Sequence, residues 1–219
     1  MSDSTPGSTH GETQAQGFFS AERAKTFADA VVAIAMTLLI LPLMESVAEV
    51  ADADKSAVHW FGDHGQQLLS FILSFAIIAM FWMTHHRVFA TVETVTTPLL
   101  WIIMAWLLSI VWLPVATAMS GQMSGDDGFV ETVYIGSMVL TALLMLAQRI
   151  YLRAHPVLHH ISDASITRGI AADISTAVLF AVALGITLLF PVVSYFSLFI
   201  MFLVGPLQRL VVRLLPRAA

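Results

Sequence analysis

The chain has 219 residues, 58% of them hydrophobic and only 11% charged, against about 25% charged in an ordinary soluble domain. A soluble fold of this length has too little interior to hide that much apolar surface, so a bilayer is the required solvent. A net charge of −5 with no basic stripe argues against a nucleic-acid partner, and the absence of cysteine excludes disulfides, thiolate metal sites and thiol nucleophiles.

Residues 1–17 are polar and rich in Ser, Thr, Gly and Gln. They lack the basic start and apolar core of a cleavable signal peptide, and a disordered cytoplasmic tail is expected, extending to residue 22. The transmembrane domain is expected over residues 23–213, with a short cytoplasmic tail at 214–219. A spanning helix needs about 20 mostly apolar residues. The first segment runs from Phe27 to Met44, the second from Gln66 to Met83, the third from Thr96 to Met119 and the fourth from Thr132 to Gln148. From Gly169 to Gln208 the only charged residue is Asp173, and a break near Phe190, Pro191 and Ser194 leaves room for a fifth and a sixth. The expected fold class is an all-α integral membrane protein with six transmembrane helices.

The loops give these helices a direction. Arg23 and Lys25 precede the first; Arg87 follows the second; Arg149, Arg153 and Arg168 lie between the fourth and fifth; Arg209, Arg213 and Arg217 follow the sixth. With six spans, nine of the ten Lys and Arg residues share one side. Lys55 stands alone on the other, beside Glu45, Glu49, Asp52, Asp54, Asp63, Asp126, Asp127 and Glu131. The positive-inside rule makes the basic side cytoplasmic, with both termini there.

The segment Arg23 to Pro42 is the most informative. Small residues at 28, 30, 33 and 35 let helices approach closely. With Ile34 as the zero of a helical wheel, Leu38 falls at about +40°, Leu41 at about −20°, Thr37 at about −60° and Asp29 at about −140°. Ile34, Leu38 and Leu41 therefore form one stripe with Thr37 on its flank, while Asp29 points elsewhere. Lipid-facing or core packing alone leaves such a stripe. Asp29 reads either as a tethering acid near the interface or as a functional intramembrane carboxylate.

At the end of the second helix stands Trp82-Met-Thr-His85-His86-Arg87-Val-Phe89. Adjacent histidines diverge by about 100° on a helix, which disfavours a shared metal and makes one of them a hydrogen-bond partner for Asp29 at the same depth. His155, His159 and His160 read as solvated loop residues. His59, Asp63 and His64 have the spacing of a weak outside metal or proton site, or of ordinary surface groups. Glycine-rich phosphate loops, GxSxG and HExxH are missing, and no cofactor or bound metal is expected.

The run Arg23-x-x-x-Phe27-Ala28-Asp29-Ala30-Val-x-Ala33-Ile34-x-x-Thr37-Leu38-Leu39, followed by Trp82-x-x-His85-His86-Arg87-x-Phe89, resembles the prokaryotic branch of the transmembrane protein 175 family, potassium-selective channels without the TVGYG filter. The third helix matches loosely through Leu99-Leu100-Trp101 and Pro114. In two places the chain departs from the family pattern: Ala28 replaces the usual serine, and Ile102-Ile103-Met104 stands where an asparagine is usual. The resemblance implies a homotetramer in the cytoplasmic membrane, its pore lined by four copies of the first helix. It implies a constriction at Ile34, further apolar rings at Leu38 and Leu41, and a contribution to selectivity from Thr37. It also implies a structural network of Arg23, Phe27, Asp29, His85 and His86 behind the pore. The partners implied are potassium ions, the lipid bilayer and further copies of the chain. A proton-coupled secondary transporter using Asp29, Asp173 and His86 is the alternative. An intramembrane enzyme built on His85, His86 and Asp29 conflicts with the helix geometry.

Overall fold

The structure, a computed structural model, describes residues 18–52, 56–123, 128–189, 200 and 203–214. In chain order these form β1 (Phe18–Ser20), α1 (Ala21–Leu38), α2 (Leu41–Asp52), α3 (Ala57–Asp63), α4 (Gly65–Phe89), β2 (Thr94–Thr96), α5 (Thr97–Gln122), α6 (Phe129–Ala154), a 3-10 turn (Pro156–Leu158), α7 (Asp163–Leu189) and α8 (Val204–Leu214). Five stretches among the described residues are long and apolar enough to cross a membrane: residues 21–48, where α1 runs on into α2, and then α4, α5, α6 and α7. The chain is a multi-pass, almost wholly helical membrane protein. Most of the sixth expected span, with the break at Phe190, Pro191 and Ser194, lies outside the described residues, as do residues 1–17 and 215–219.

Three details differ from the sequence-based expectation. Residues 18–22, which fall within the expected tail, form β1 and the first two residues of α1, and β1 pairs antiparallel with β2. Second, a short helix, α3, stands in the segment expected to be an outside loop; the Ser56 side chain caps it by accepting the His59 N–H. Third, α6 runs to Ala154, so Arg149 and Arg153 belong to the helix and not to the following loop.

The centre of the bundle is α5, where Leu99, Ile103, Trp106, Ile110 and Leu113 recur at helical spacing and are all buried. It packs against α1, α4 and α6; α6 packs against α7, and α7 against α8. Several polar groups inside the bundle are matched to one another across helices, although the buried Ser70 hydroxyl and Gln148 amide have no hydrogen-bond partner among the described residues. The Thr117 hydroxyl of α5 donates to Ser74 of α4 at 2.7 Å, and Ser74 in turn meets the Tyr134 hydroxyl of α6 at 2.7 Å. Trp112 donates its indole N–H to Ser137 at 3.0 Å. Arg149 of α6 and Asp173 of α7, both buried, form an ion pair through the guanidinium Nε and Nη atoms. Gly169 makes room for it, since a Cβ at that position would overlap the guanidinium.

The basic end of the bundle is sewn shut by backbone bonds. The Glu93 N–H donates to the Leu158 carbonyl at 3.0 Å, the His160 N–H donates to Thr91 at 3.1 Å, and Val92 bridges to His159. His159 is accordingly buried and not solvated as expected: its Nε2 lies 3.0 Å from the Leu152 carbonyl, and its Nδ1 accepts the Ile161 N–H at 3.0 Å. His155 is half-buried and stacks on Tyr151, whereas His160 is exposed beside the Glu93 carboxylate.

Breaking a buried ion pair strands a charge, whereas removing both charges does not. Arg149→Met is expected to lower stability by about 3 kcal/mol, and the double variant Arg149→Met with Asp173→Leu to recover most of that loss. Thermal unfolding of the three proteins in one detergent checks both statements.

Candidate functional site

The first helix has two faces. One is packed: Ala28, Val32, Ala35 and Leu39, followed by Leu43 and Ser46 of α2, alternate at three- and four-residue spacing and are buried. Two of these positions are alanines, so the helix axis can lie close to α4 and α5. The other face is uncovered by the chain's own atoms. It carries Phe27, Ile34, Leu38 and Leu41, which are 51%, 59%, 39% and 47% exposed. Large apolar side chains on a regular helical stripe, left uncovered along a whole span, require lipid or another protein surface against them.

The structure places Ile34, Thr37 and Leu38 on that stripe of α1, and Leu41 at the start of α2. The helix breaks between them, and Pro42 has no N–H to continue the ladder across the junction. Gln67 of α4 pins the break by donating to the Pro42 carbonyl at 3.0 Å. Leu41 nevertheless keeps the direction of the stripe. The Thr37 hydroxyl donates to the Ile34 carbonyl at 2.7 Å. Its hydrogen is thereby turned inward, and lone pairs of its oxygen remain available on the exposed face.

Asp29 is off the stripe. Its Oδ1 accepts the Trp82 indole N–H at 2.8 Å, and His86 Nδ1 stands 3.8 Å from the same oxygen. Trp82 and His86 are four residues apart on α4, with ring centroids at 5.6 Å, so one face of α4 presents both to the acid. His85 takes no part. It is buried between Trp106 and Phe89, each ring at 4.3 Å, stacked at 5° and 18° respectively. Of the expected network, then, the structure joins Asp29 with His86, adds Trp82 as the principal donor, and sets His85 in the core. Arg23 and Phe27 are exposed on the uncovered side of α1 rather than packed behind it within a single chain. Among the described residues no three His, Asp or Glu side chains come together as a metal site. His59 and Asp63 form an exposed pair at 3.1 Å, and His64 stacks on Trp60.

Trp82 stands inside the motif that carries the resemblance, yet its donor role was not apparent from the sequence; the signal was its four-residue spacing from His86. Nor does the sequence alone pair Arg149 with Asp173, although a lone charge in an apolar stretch demands a partner.

Residues 23–114, which hold α1, α4 and most of α5, match the family model described as endosomal/lysosomal potassium channel TMEM175. Over these residues the chain is similar to the TMEM175 family. A potassium channel of Streptomyces collinus is 30% identical over 132 residues, which make up 59% of this chain and 62% of that protein. Bovine TMEM175, described as an endosomal/lysosomal proton channel, is 35% identical over 85 residues, 36% of this chain and 18% of the bovine protein. The chain thus spans less than two thirds of either relative. The crystal structure of a lysosomal potassium-selective channel TMEM175 homolog from Chamaesiphon minutus superposes with a TM-score of 0.66 at 20% identity, over 88% of this chain and 97% of the other. That likeness establishes a shared TMEM175 fold.

A hydrogen bond to a carboxylate contributes about 1.5–3 kcal/mol, and the partial exposure of Asp29 sets the lower end. Trp82→Phe, which keeps the ring and deletes the N–H, is expected to cost about 1.5 kcal/mol. Asp29→Asn made on top of Trp82→Phe is expected to cost less than Asp29→Asn alone. Unfolding midpoints of the four proteins in a double-mutant cycle measure that coupling.

Proposed function

We propose that the chain is the subunit of a homotetrameric, potassium-selective channel of the cytoplasmic membrane, with four copies of α1 around the pore and both termini on the basic, cytoplasmic side. The observation that carries this reading is the uncovered apolar face of α1. A single copy of one helix cannot enclose a path, but four copies turned inward can, and the packed face of Ala28, Val32 and Ala35 would hold each copy against its own α4 and α5.

In this arrangement Ile34 forms the narrow neck, with Leu38 and Leu41 as wider apolar rings toward the acidic side. A ring of four isoleucines excludes water, and a bare cation then faces a large desolvation cost. A modest widening wets the neck and admits the ion, which is gating by dewetting. Thr37 offers an oxygen close to the neck, where a partly dehydrated cation needs one. Glu45, Glu49 and Asp63 lie beyond α1 on the acidic side and raise the local cation concentration at that mouth. Asp29 does no ion handling here. Held by Trp82, it fixes the rotation of α1 on α4.

A second reading, proton-coupled or proton-selective transport through Asp29 and His86, is favoured by two observations: the 3.8 Å approach of those groups and the proton-channel description of the mammalian relatives. The two readings separate in one assay. Purified protein is reconstituted in potassium-loaded liposomes and flux is followed in opposed potassium and sodium gradients, with and without a pH gradient. The channel reading expects potassium efflux without a pH gradient, faster or less selective in Ile34→Ala, with Asp29→Asn lowering the yield of assembled protein more than the flux per tetramer. Flux that needs a pH gradient and vanishes in Asp29→Asn would sink the channel reading in favour of the proton-coupled one.

A further inference from the structure

The basic end of the bundle holds a pocket that the pore does not use. It has a volume of about 520 Å³ and is lined by Arg168 of α7 with Gly205, Gln208, Arg209 and Val212 of α8. The four α8 residues follow i, i+3, i+4, i+7 spacing, so they form one face of that helix. The face is fixed to α7 by the Gln208 side chain, which donates to the Arg168 carbonyl at 3.4 Å. The Arg168 Nε is committed to the Ala164 carbonyl at 3.2 Å, and one of its Nη atoms lies 3.4 Å from the Ser165 hydroxyl. Its other Nη has no hydrogen bond among the described residues. Among the described residues none of the ion pairs includes Arg168 or Arg209, in contrast to Arg149, which is matched by Asp173. Two guanidinium groups thus line one cavity without a carboxylate between them. The pocket is also roomy on its α8 side, since a Cβ on Gly205 would meet nothing within 4 Å.

We propose that Arg168 and Arg209, together with Gln208, hold the phosphate of an anionic phospholipid headgroup on the basic side of the bundle. A planar guanidinium matches phosphate oxygens two at a time. Basic pockets between membrane helices on that side suit acidic headgroups. The location selects a lipid over a dissolved anion. Arg168 lies in the second turn of α7, whose apolar span begins there, and Leu203 and Leu210, close in sequence to Gly205 and Arg209, are exposed apolar surface for an acyl chain. The site is independent of which ion the pore conducts, because it is built from α7 and α8 rather than from α1.

The test uses the full chain in detergent, with retained lipid counted by native mass spectrometry after addition of dioleoyl phosphatidylglycerol or dioleoyl phosphatidylcholine. Phosphatidylglycerol is expected to be retained in preference to phosphatidylcholine. Arg168→Gln and Arg209→Gln are each expected to weaken retention about fivefold. Gly205→Leu fills the pocket without changing charge and is expected to abolish the preference. Arg153→Gln, which removes an exposed basic charge of α6 outside the pocket, is expected to leave it unchanged. Undiminished phosphatidylglycerol in Arg168→Gln/Arg209→Gln or in Gly205→Leu overturns the site. So does an equal loss in Arg153→Gln, which would mark a diffuse surface charge. Complete displacement by millimolar inorganic phosphate overturns the lipid assignment and marks a site for the free ion.

Discussion

Hydrocarbon offers no hydrogen bonds, so each polar group carried into the bilayer has to find its partner within the protein. That requirement decides which helices meet, and where. Ser74, Thr117 and Tyr134 bind α4, α5 and α6 at one level. Arg149 and Asp173 bind α6 to α7 at another, and Trp82 with Asp29 binds α4 to α1 near the basic end. Between these points the contacts are apolar and could slide. With them, each helix has one rotation and one height. The same demand explains Gln67: its amide reaches the Pro42 carbonyl at the one place where α1 stops being a regular helix.

The two faces of α1 do different work because of side-chain size. On the packed face alanines bring the backbone against its neighbours, so little side-chain freedom is lost in ordering it. On the open face long branched side chains project, and the water they exclude is the barrier in the proposed pore. Asp29 sits where neither requirement would tolerate it alone, and the indole of Trp82 resolves that conflict. This places the one acid of α1's apolar span at its edge, off the line of Ile34 and Leu38. The Ala28 side chain has no hydroxyl to offer and is 1% exposed, so in this chain close packing does there what a serine's hydrogen bond would otherwise do.

Much of this was legible in the sequence, because the signals are long. Apolar stretches of spanning length gave α1, α4, α5, α6 and α7 within a few residues, and the helical wheel separated Ile34, Leu38 and Thr37 from Asp29. The misreadings come from pairings between distant residues, which periodicity does not carry. Arg149 reads as a loop cation until Asp173, one helix later, lies opposite to neutralise it. His159 reads as solvated until the Val92 bridge covers it. The helical wheel treats the chain from Ile34 to Leu41 as one regular helix, whereas α1 ends at Leu38 and α2 begins at Leu41. The sequence puts both His85 and His86 in the Asp29 network; which of the two faces Asp29 depends on how α4 is rotated, and in the structure His85 stacks on Trp106 of α5 instead.

The β1–β2 ribbon bears on how the chain is made. β1 immediately precedes α1, and its partner strand, Thr94–Thr96, is encoded after α4. During synthesis the first span therefore leaves the ribosome long before its anchor exists, and its Ala28–Val32–Ala35 face has nothing to close on until α4 and α5 have followed it into the membrane. α1 is therefore expected to pack late, after α4 and α5 have entered the membrane. In the proposed tetramer, the apolar face that meets other subunits would then be fixed in orientation by the same event that completes the subunit, coupling readiness to oligomerise to the completion of folding.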